Sequence, residues 1–182
     1  MRILNVHQRE LGAPLAAVGA LLDSLASDED ALWPRRIWPC MHFDRPLAVG
    51  ASGGHGPVAY AVEDYRPGQM IQFRFLGPRG FSGHHRFEVA SLSESKSLLR
   101  HTIDARITGI ALISWPLAIR PLHDALLEDA LAQAQASLGL TPVLTPWSAW
   151  VKLLRWLMSG SRAQPQRTPK LAYMDSPKKQ ET

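Results

Sequence analysis

Cysteine is almost absent from the 182 residues. Cys40 stands alone, which excludes an internal disulfide or a thiolate-rich zinc site within one chain and predicts a reducing compartment. Long apolar runs are missing too. No stretch approaches the roughly 20 apolar residues of a membrane-spanning helix. The opening segment MRILNVHQRE reaches Gln8, Arg9 and Glu10 after an apolar run too short for a secretory leader. A cytoplasmic protein is expected. The fingerprints of nucleic-acid modules are absent. The Gly53-Gly54-His55-Gly56 run lacks the Lys-Ser/Thr that completes a phosphate-binding loop, so a flexible entrance loop is expected there. No His-Glu-x-x-His or similar ligand spacing occurs, and the adjacent His84 and His85 point to opposite faces of a strand. No metal and no other cofactor is expected.

The apolar content of 46% and charged content of 20% are those of a folded domain, and the length suits one domain with a core plus a tail. The net charge of +4 is unevenly spread. Residues 1–146 hold 13 Lys/Arg against 14 Asp/Glu, whereas residues 147–182 hold 7 against 2. The body is therefore near neutral and the tail carries the basicity, which suits an anionic surface or acidic partner at least as well as nucleic acid. No nucleic-acid partner is expected.

Alternation opens the chain, with Ile3 and Asn5 facing one way and Leu4 and Val6 the other. Ala13-Pro14 starts a helix carrying Leu15, Val18, Leu22 and Leu25 at helical spacing. Residues 33–56 read as irregular, with a short strand at Pro46–Gly50. A sustained period of two follows. Val58, Tyr60 and Val62 lead to a turn at Arg66-Pro67-Gly68-Gln69, then Ile71, Phe73 and Phe75; after Gly77-Pro78-Arg79-Gly80 come Phe81, His85, Phe87 and Val89. Beyond Ser93-Glu94-Ser95-Lys96, Leu99, His101, Ile103, Ala105 and Ile107 share one side. This is a four-stranded meander with one apolar face that needs a cover. A helix over about 113–138 supplies it, with Pro116 and Pro121 breaking its start, Leu127, Leu131, Ala134 and Leu138 in a stripe, and Gly139 ending it.

Three segments in this order resemble the START-like or SRPBCC superfamily, which includes polyketide cyclases and the birch-pollen-allergen fold. They are Gly56-Pro57-Val58-Ala59-Tyr60-Ala61-Val62-Glu63-Asp64-Tyr65-Arg66-Pro67-Gly68, Phe81-Ser82-Gly83-His84-His85-Arg86-Phe87-Glu88-Val89, and Trp115 followed by Leu122-His123-Asp124-Ala125-Leu126-Leu127-Glu128-Asp129. The resemblance covers roughly residues 2–139. It implies an α+β helix-grip fold, a curved antiparallel sheet wrapped on a long C-terminal helix with an internal apolar cavity. It also implies bulky apolar ligands such as sterols, lipids, polyketides or hormones, and fold predicts chemistry poorly. The organisation expected is a ligand-binding domain at 1–139, a Pro/Trp-rich amphipathic helical extension at 140–160 and a disordered basic tail at 161–182.

His85 and His101 interrupt faces otherwise made of Phe, Val, Ile and Leu, and are the candidate acid/base or ligand-orienting residues. The alternative is that each satisfies a buried hydrogen bond or meets water at a strand end. Trp38, Tyr60, Phe73, Phe75, Phe87, Ile103 and Trp115 are the candidate ligand-binding walls, although a cavity lining and a filled core read alike in sequence. Glu88 and Asp104 fall on the solvent face. Cys40 and His42 have no evident third partner for thiol catalysis, and a structural role is the simpler reading.

The extension carries a separate signal. Trp147, Trp150, Val151, Leu154, Leu157 and Met158 share one helical face, widened by Leu153 and Trp156, with Ser148, Lys152 and Arg155 on the polar side. Such a helix packs on the body or a partner, or lies in a membrane interface, a possible peripheral contact through 147–158.

The leading expectation is binding or carriage of a bulky apolar small molecule. The alternatives are a cyclase, dehydrase or hydrolase using a cavity histidine, and a membrane-associated lipid chaperone. A polar pair converging deep in the cavity favours the enzyme, and a uniformly apolar cavity favours the carrier. Phe73, Phe75, Phe87, His85 and His101 are expected to share an interior of roughly 300 Å³ or more.

Overall fold

The computed structural model describes residues 1–158, so the tail expected to be disordered at 161–182 lies outside the described residues. The strands are β1 (Arg2–Leu11), β2 (His42–Phe43), β3 (Ser52–His55), β4 (Val58–Arg66), β5 (Met70–Gly77), β6 (Phe81–Ser93) and β7 (Lys96–Ile107). They form one antiparallel sheet in the order β1-β7-β6-β5-β4-β3-β2. Pairing β1 with β7 brings the chain's two ends of the sheet together, and every inward position follows from the period of two. Ile3 and Asn5 are buried on β1, Phe73 on β5, His85, Phe87 and Val89 on β6, and Leu99, His101, Ile103, Ala105 and Ile107 on β7. Register shifts in β4–β5 and β6–β7 mark bulges, the usual means of curving a sheet.

The expected strand at Pro46–Gly50 does not form; those residues bend or turn, and the edge of the sheet is β2 and β3 instead. Gly53, Gly54 and His55 of the expected entrance loop are thus a paired strand, whereas Gly56 lies in the turn that follows. A Cβ on Gly53 would overlap the His42 carbonyl, and one on Gly54 the Val58 carbonyl, so the two glycines admit a backbone approach that side chains would block.

The covering helix runs from 111 to 137 as α2 (Ala111–Ser114), a π-helical turn (Trp115–Ile119) and α3 (Arg120–Ser137). The two prolines expected to break its start lie inside it. The π turn absorbs the disturbance. Pro121 has no N–H for the Leu117 carbonyl, and the indole Nε1 of Trp150 donates to that carbonyl instead, at 2.6 Å. Trp150 belongs to α4 (Ala149–Met158), which follows an irregular segment and packs on α3.

Helix α1 (Leu15–Asp23) closes one end of the core. Its Asp23 Oδ1 accepts from the Gly68 amide at 2.8 Å and the Tyr65 hydroxyl at 2.9 Å. The turn it holds has Gly68 at φ 71° and a bond from Gln69 N to the Arg66 carbonyl at 3.0 Å, the geometry in which glycine is favoured at the third turn position. Two apolar clusters result. One joins α1, residues 32–41, α3 and β4 to β7; the smaller one joins Ile3, Ile103, Ala105, Ile107, Ala111 and Trp115.

The tightest approach in this arrangement is Gly19 of α1 against the Gly68 backbone, where a Cβ would collide. Gly19→Ala is therefore expected to destabilise the fold by about 1–3 kcal/mol, the usual cost of overpacking, although alanine favours helices. Urea unfolding checks it, and an unchanged or raised midpoint would contradict the packing described.

Candidate functional site

The two apolar clusters do not fill the space between sheet and helix. A cavity of about 290 Å³, not fully enclosed, lies along their seam. That is the lower end of the range for small-molecule sites. Phe75, Phe81, Phe87 and Ile103 wall it from the sheet, Trp115, Ile119, Leu122, Leu126 and Leu127 from the long helix, and Trp33 and Trp38 from the irregular segment.

Four histidines interrupt this apolar wall: His55, His85, His101 and His123. Strand parity delivers the central two. In register, Phe73 faces His85 across β5–β6, and Ile103 faces His85 and Phe87 faces His101 across β6–β7. His85 and His101 are 5% and 2% exposed. Their rings meet edge to edge, with His85 Nδ1 3.2 Å from His101 Nε2. Among the described residues their other nitrogens, His85 Nε2 and His101 Nδ1, are buried with no hydrogen-bond partner, as is His123 Nδ1, which is 3.8 Å from Asp124 and too far for a bond.

The expected walls divide. Trp38, Phe75, Phe87, Ile103 and Trp115 line the cavity, as do His85 and His101. Tyr60 and Phe73 do not; both are fully buried behind His85, where Tyr60 meets its ring edge-on and Phe73 stacks on it, each with centroids 4.8 Å away. Both belong to the main apolar cluster, so matching parity puts them in the packed core instead of on the cavity surface. Glu88 and Asp104 lie on the outer face with cations for company, Arg100 and Arg86 for Glu88 and Arg2 for Asp104. Cys40 is exposed, and its only recorded partner among the described residues is the Arg35 carbonyl at 4.0 Å.

Sequence reasoning missed His123, His55 and His7 as site residues. The signals existed. His123 continues the buried stripe Leu127, Ala130, Leu131 and Ala134 of α3, and His7 shares parity with Ile3 and Asn5 on β1. His7 binds carboxylates at both ring nitrogens, Glu128 at 2.9 Å and Asp124 at 3.0 Å, while Asn5 donates to Asp124 at 2.9 Å and Arg9 to Glu128 at 2.7 Å. The ligand atoms of His7, His123 and Asp124 lie within 4.8 Å of one another, close enough for a metal. Both nitrogens of His7 already serve carboxylates, so the grouping reads as a charged clamp between β1 and α3.

Charge states separate along this line of imidazoles. Burial holds His85 and His101 well below the ordinary histidine range, with the neighbouring histidines adding to the effect. Burial likewise lowers His123, against the pull of Asp124, and pushes His55 down to about 4. At His7 burial also opposes the charge, yet the hydrogen bonds to Asp124 and Glu128 outweigh it and the pKa rises. Burial thus favours the neutral form of the imidazoles at the cavity, and the carboxylates favour the charged form of His7.

No protein-family model matches the chain, and no curated protein matches it closely. In structure it is similar to a Thermobifida fusca protein solved by solution NMR, with 13% identity, 78% of this chain and 99% of that one covered, and a TM-score of 0.58. It is similar to a point mutant of norcoclaurine synthase from Thalictrum flavum, with 13% identity, 76% and 96% covered, and a TM-score of 0.58. A conserved protein of unknown function from Enterococcus faecalis aligns over 89% of this chain and 88% of its own, at 12% identity and a TM-score of 0.52.

The charge pattern has a thermal signature. His55, His85, His101 and His123 are lowered in the fold, so their stabilising share is present above the unfolded pKa near 6.5 and is lost as pH falls. His7, raised in the fold, acts in the opposite sense: its share is complete below about pH 6.5 and is lost as pH rises through its folded pKa. The lowered group is the larger. The melting temperature is therefore expected to fall between pH 7 and pH 5, and the His85→Phe/His101→Phe double variant to fall less. A calorimetric profile that is flat, or steeper in the variant, would contradict the buried neutral pair.

Proposed function

Starting from a START-like helix-grip fold, we propose that the cavity binds a compact, mostly apolar small molecule carrying one polar group, held by the His85–His101 pair. The observation behind this reading is the pair itself, 3.2 Å apart with both outer nitrogens unpartnered among the described residues. Two neutral imidazoles share one proton between their inner nitrogens, so the outer pair always comprises one donor and one acceptor. When His85 Nδ1 carries the shared proton, His101 Nδ1 is the donor and His85 Nε2 the acceptor; the opposite arrangement exchanges the roles. A ligand hydroxyl or carbonyl would meet its complement in either state. Buried polar atoms need partners, and the ligand would supply them.

A second, similarly folded structure of norcoclaurine synthase from Thalictrum flavum was solved in complex with dopamine and hydroxybenzaldehyde; both are aromatic molecules with polar substituents, which supports a ligand of this general kind. The second reading is acid/base catalysis by the pair, favoured because the two polar groups do converge inside an apolar cavity. Burial counts against it as the first choice. An imidazole held well below its ordinary pKa is a weak base, and proton transfer is most effective near the working pH. Orientation by hydrogen bonding needs no such match.

Native mass spectrometry of gently purified protein is expected to reveal a retained small molecule, and His85→Phe or His101→Phe to release it. If binding is the function, either change weakens affinity by about 1–2 kcal/mol, or about 5- to 30-fold. If the ligand is turned over, His85→Ala or His101→Ala lowers the rate about a hundredfold or more. Equal retention by wild type and both variants would remove the pair from the site.

A further inference from the structure

The C-terminal helix has two apolar sides with different employment. Its inner side packs on the body. Val151 is buried; just ahead of the helix, Trp147 packs against the main core, and its indole donates to Asp129 at 2.8 Å beside the Trp38 indole at 2.9 Å. The Arg155 guanidinium lies over both rings, 4.1 Å from Trp38 and 4.5 Å from Trp147, and donates to the Ile37 carbonyl. Arg155 and Met158 complete the cavity wall. The exposed members of that wall, Pro39, Gly56, Pro57 and Met158, mark its rim, so the last turn of α4 stands at the mouth.

The outer side is another matter. Trp150, Leu153 and Leu157 recur at helical spacing and are 46%, 43% and 60% exposed. The bond from Trp150 to Leu117 joins this row to the long helix, where Ile113 and Leu117 are 59% and 57% exposed. Singly exposed apolar residues need no explanation, but a continuous row does. Charge indicates what covers it. Lys152 flanks the row in the open, and residues 147–182 hold seven cations against two acids, while the remaining body is slightly acidic. Tryptophan and leucine on one side with Lys152 beside them, in a segment of cationic sequence, match the headgroup boundary of an anionic bilayer.

We propose that α4 is a bilayer-docking lid: its outer row of Trp150, Leu153 and Leu157 seats in an anionic membrane interface and sets the cavity mouth against lipid. An apolar cargo could then pass between bilayer and cavity without crossing water. The docking itself does not depend on what the cavity holds. It can therefore fail while ligand binding stands, and the reverse.

The test uses the full chain and vesicles of phosphatidylcholine with about one-third phosphatidylserine, against pure phosphatidylcholine. Co-sedimentation is expected with the anionic vesicles at low salt, several-fold less with the neutral ones, and less as salt rises. Leu153→Glu/Leu157→Glu, both at exposed positions, should lower anionic-vesicle binding tenfold or more while the melting temperature and the mass of any retained ligand stay unchanged. Lys152→Gln should cause a smaller loss that high salt erases. No sedimentation of the wild type with anionic vesicles at low salt would overturn the proposal. So would equal binding by the double variant, or a wild-type dimer in solution that the double variant abolishes, which would assign the row to a second copy.

Discussion

Two imidazoles facing each other across 3.2 Å inside a shell of Phe, Ile and Trp impose the main constraint on this molecule. Burial penalises an ionised group there and holds both rings well below the ordinary histidine range, so the neutral forms are favoured and each ring needs hydrogen-bond partners nearby. One partner each is supplied by the other ring. The second is not supplied by any of the described residues. A core that merely needed filling would place Leu or Phe at these positions, as it does at Phe87, Leu99 and Ile103 around them. The structure instead keeps a cavity open beside unsatisfied nitrogens, at a cost in stability that a bound polar group would offset.

Holding that cavity open falls to elements far apart in sequence. The sheet supplies one wall by alternation, and the long helix supplies another from Trp115 to Leu127, with His123 on the same side. Midway along α3, the buried Asp129 receives the indoles of Trp38 and Trp147, fastening the irregular segment and the extension after α3 to one carboxylate. At the opposite side of the helix, Asp124 and Glu128 gather Asn5, His7 and Arg9 of β1. The charged groups thus sit where the helix meets its neighbours, and the neutral ones where it meets the cavity.

Much of the fold was legible because period-two and helical patterns act directly on burial. Ile3 and Asn5, the four meander strands and the turn at Gly68 all follow from local rules. The edge at β2 and β3 did not, because glycines that pair by close backbone approach carry no apolar alternation to read. The prolines misled for a related reason: Pro116 and Pro121 forbid particular α-helical bonds, but a π turn and the Trp150 indole, distant in sequence, make up for them. At the site, parity identified His85 and His101 yet could not separate lining from packing, so Tyr60 and Phe73 were grouped with residues that they stand behind. His123 needed the helix stripe to be extended by one turn. The Asp129 clasp joins residues 91 and 18 positions apart, beyond any local pattern.

The central claim is that His85 and His101 are neutral and hydrogen-bonded to each other, with outer nitrogens that have no partner among the described residues and would pair with a ligand. Long-range nitrogen–proton NMR of the imidazole rings reads tautomer and charge directly. Between pH 5 and pH 8 the account predicts that His85 and His101 keep the shifts of neutral rings while His7 carries the shifts of a cation at the acidic end. Addition of the retained small molecule should move the signals of His85 Nε2 and His101 Nδ1 in particular. Titration of either cavity histidine near pH 6.5, with ordinary exchange with solvent, would contradict the account.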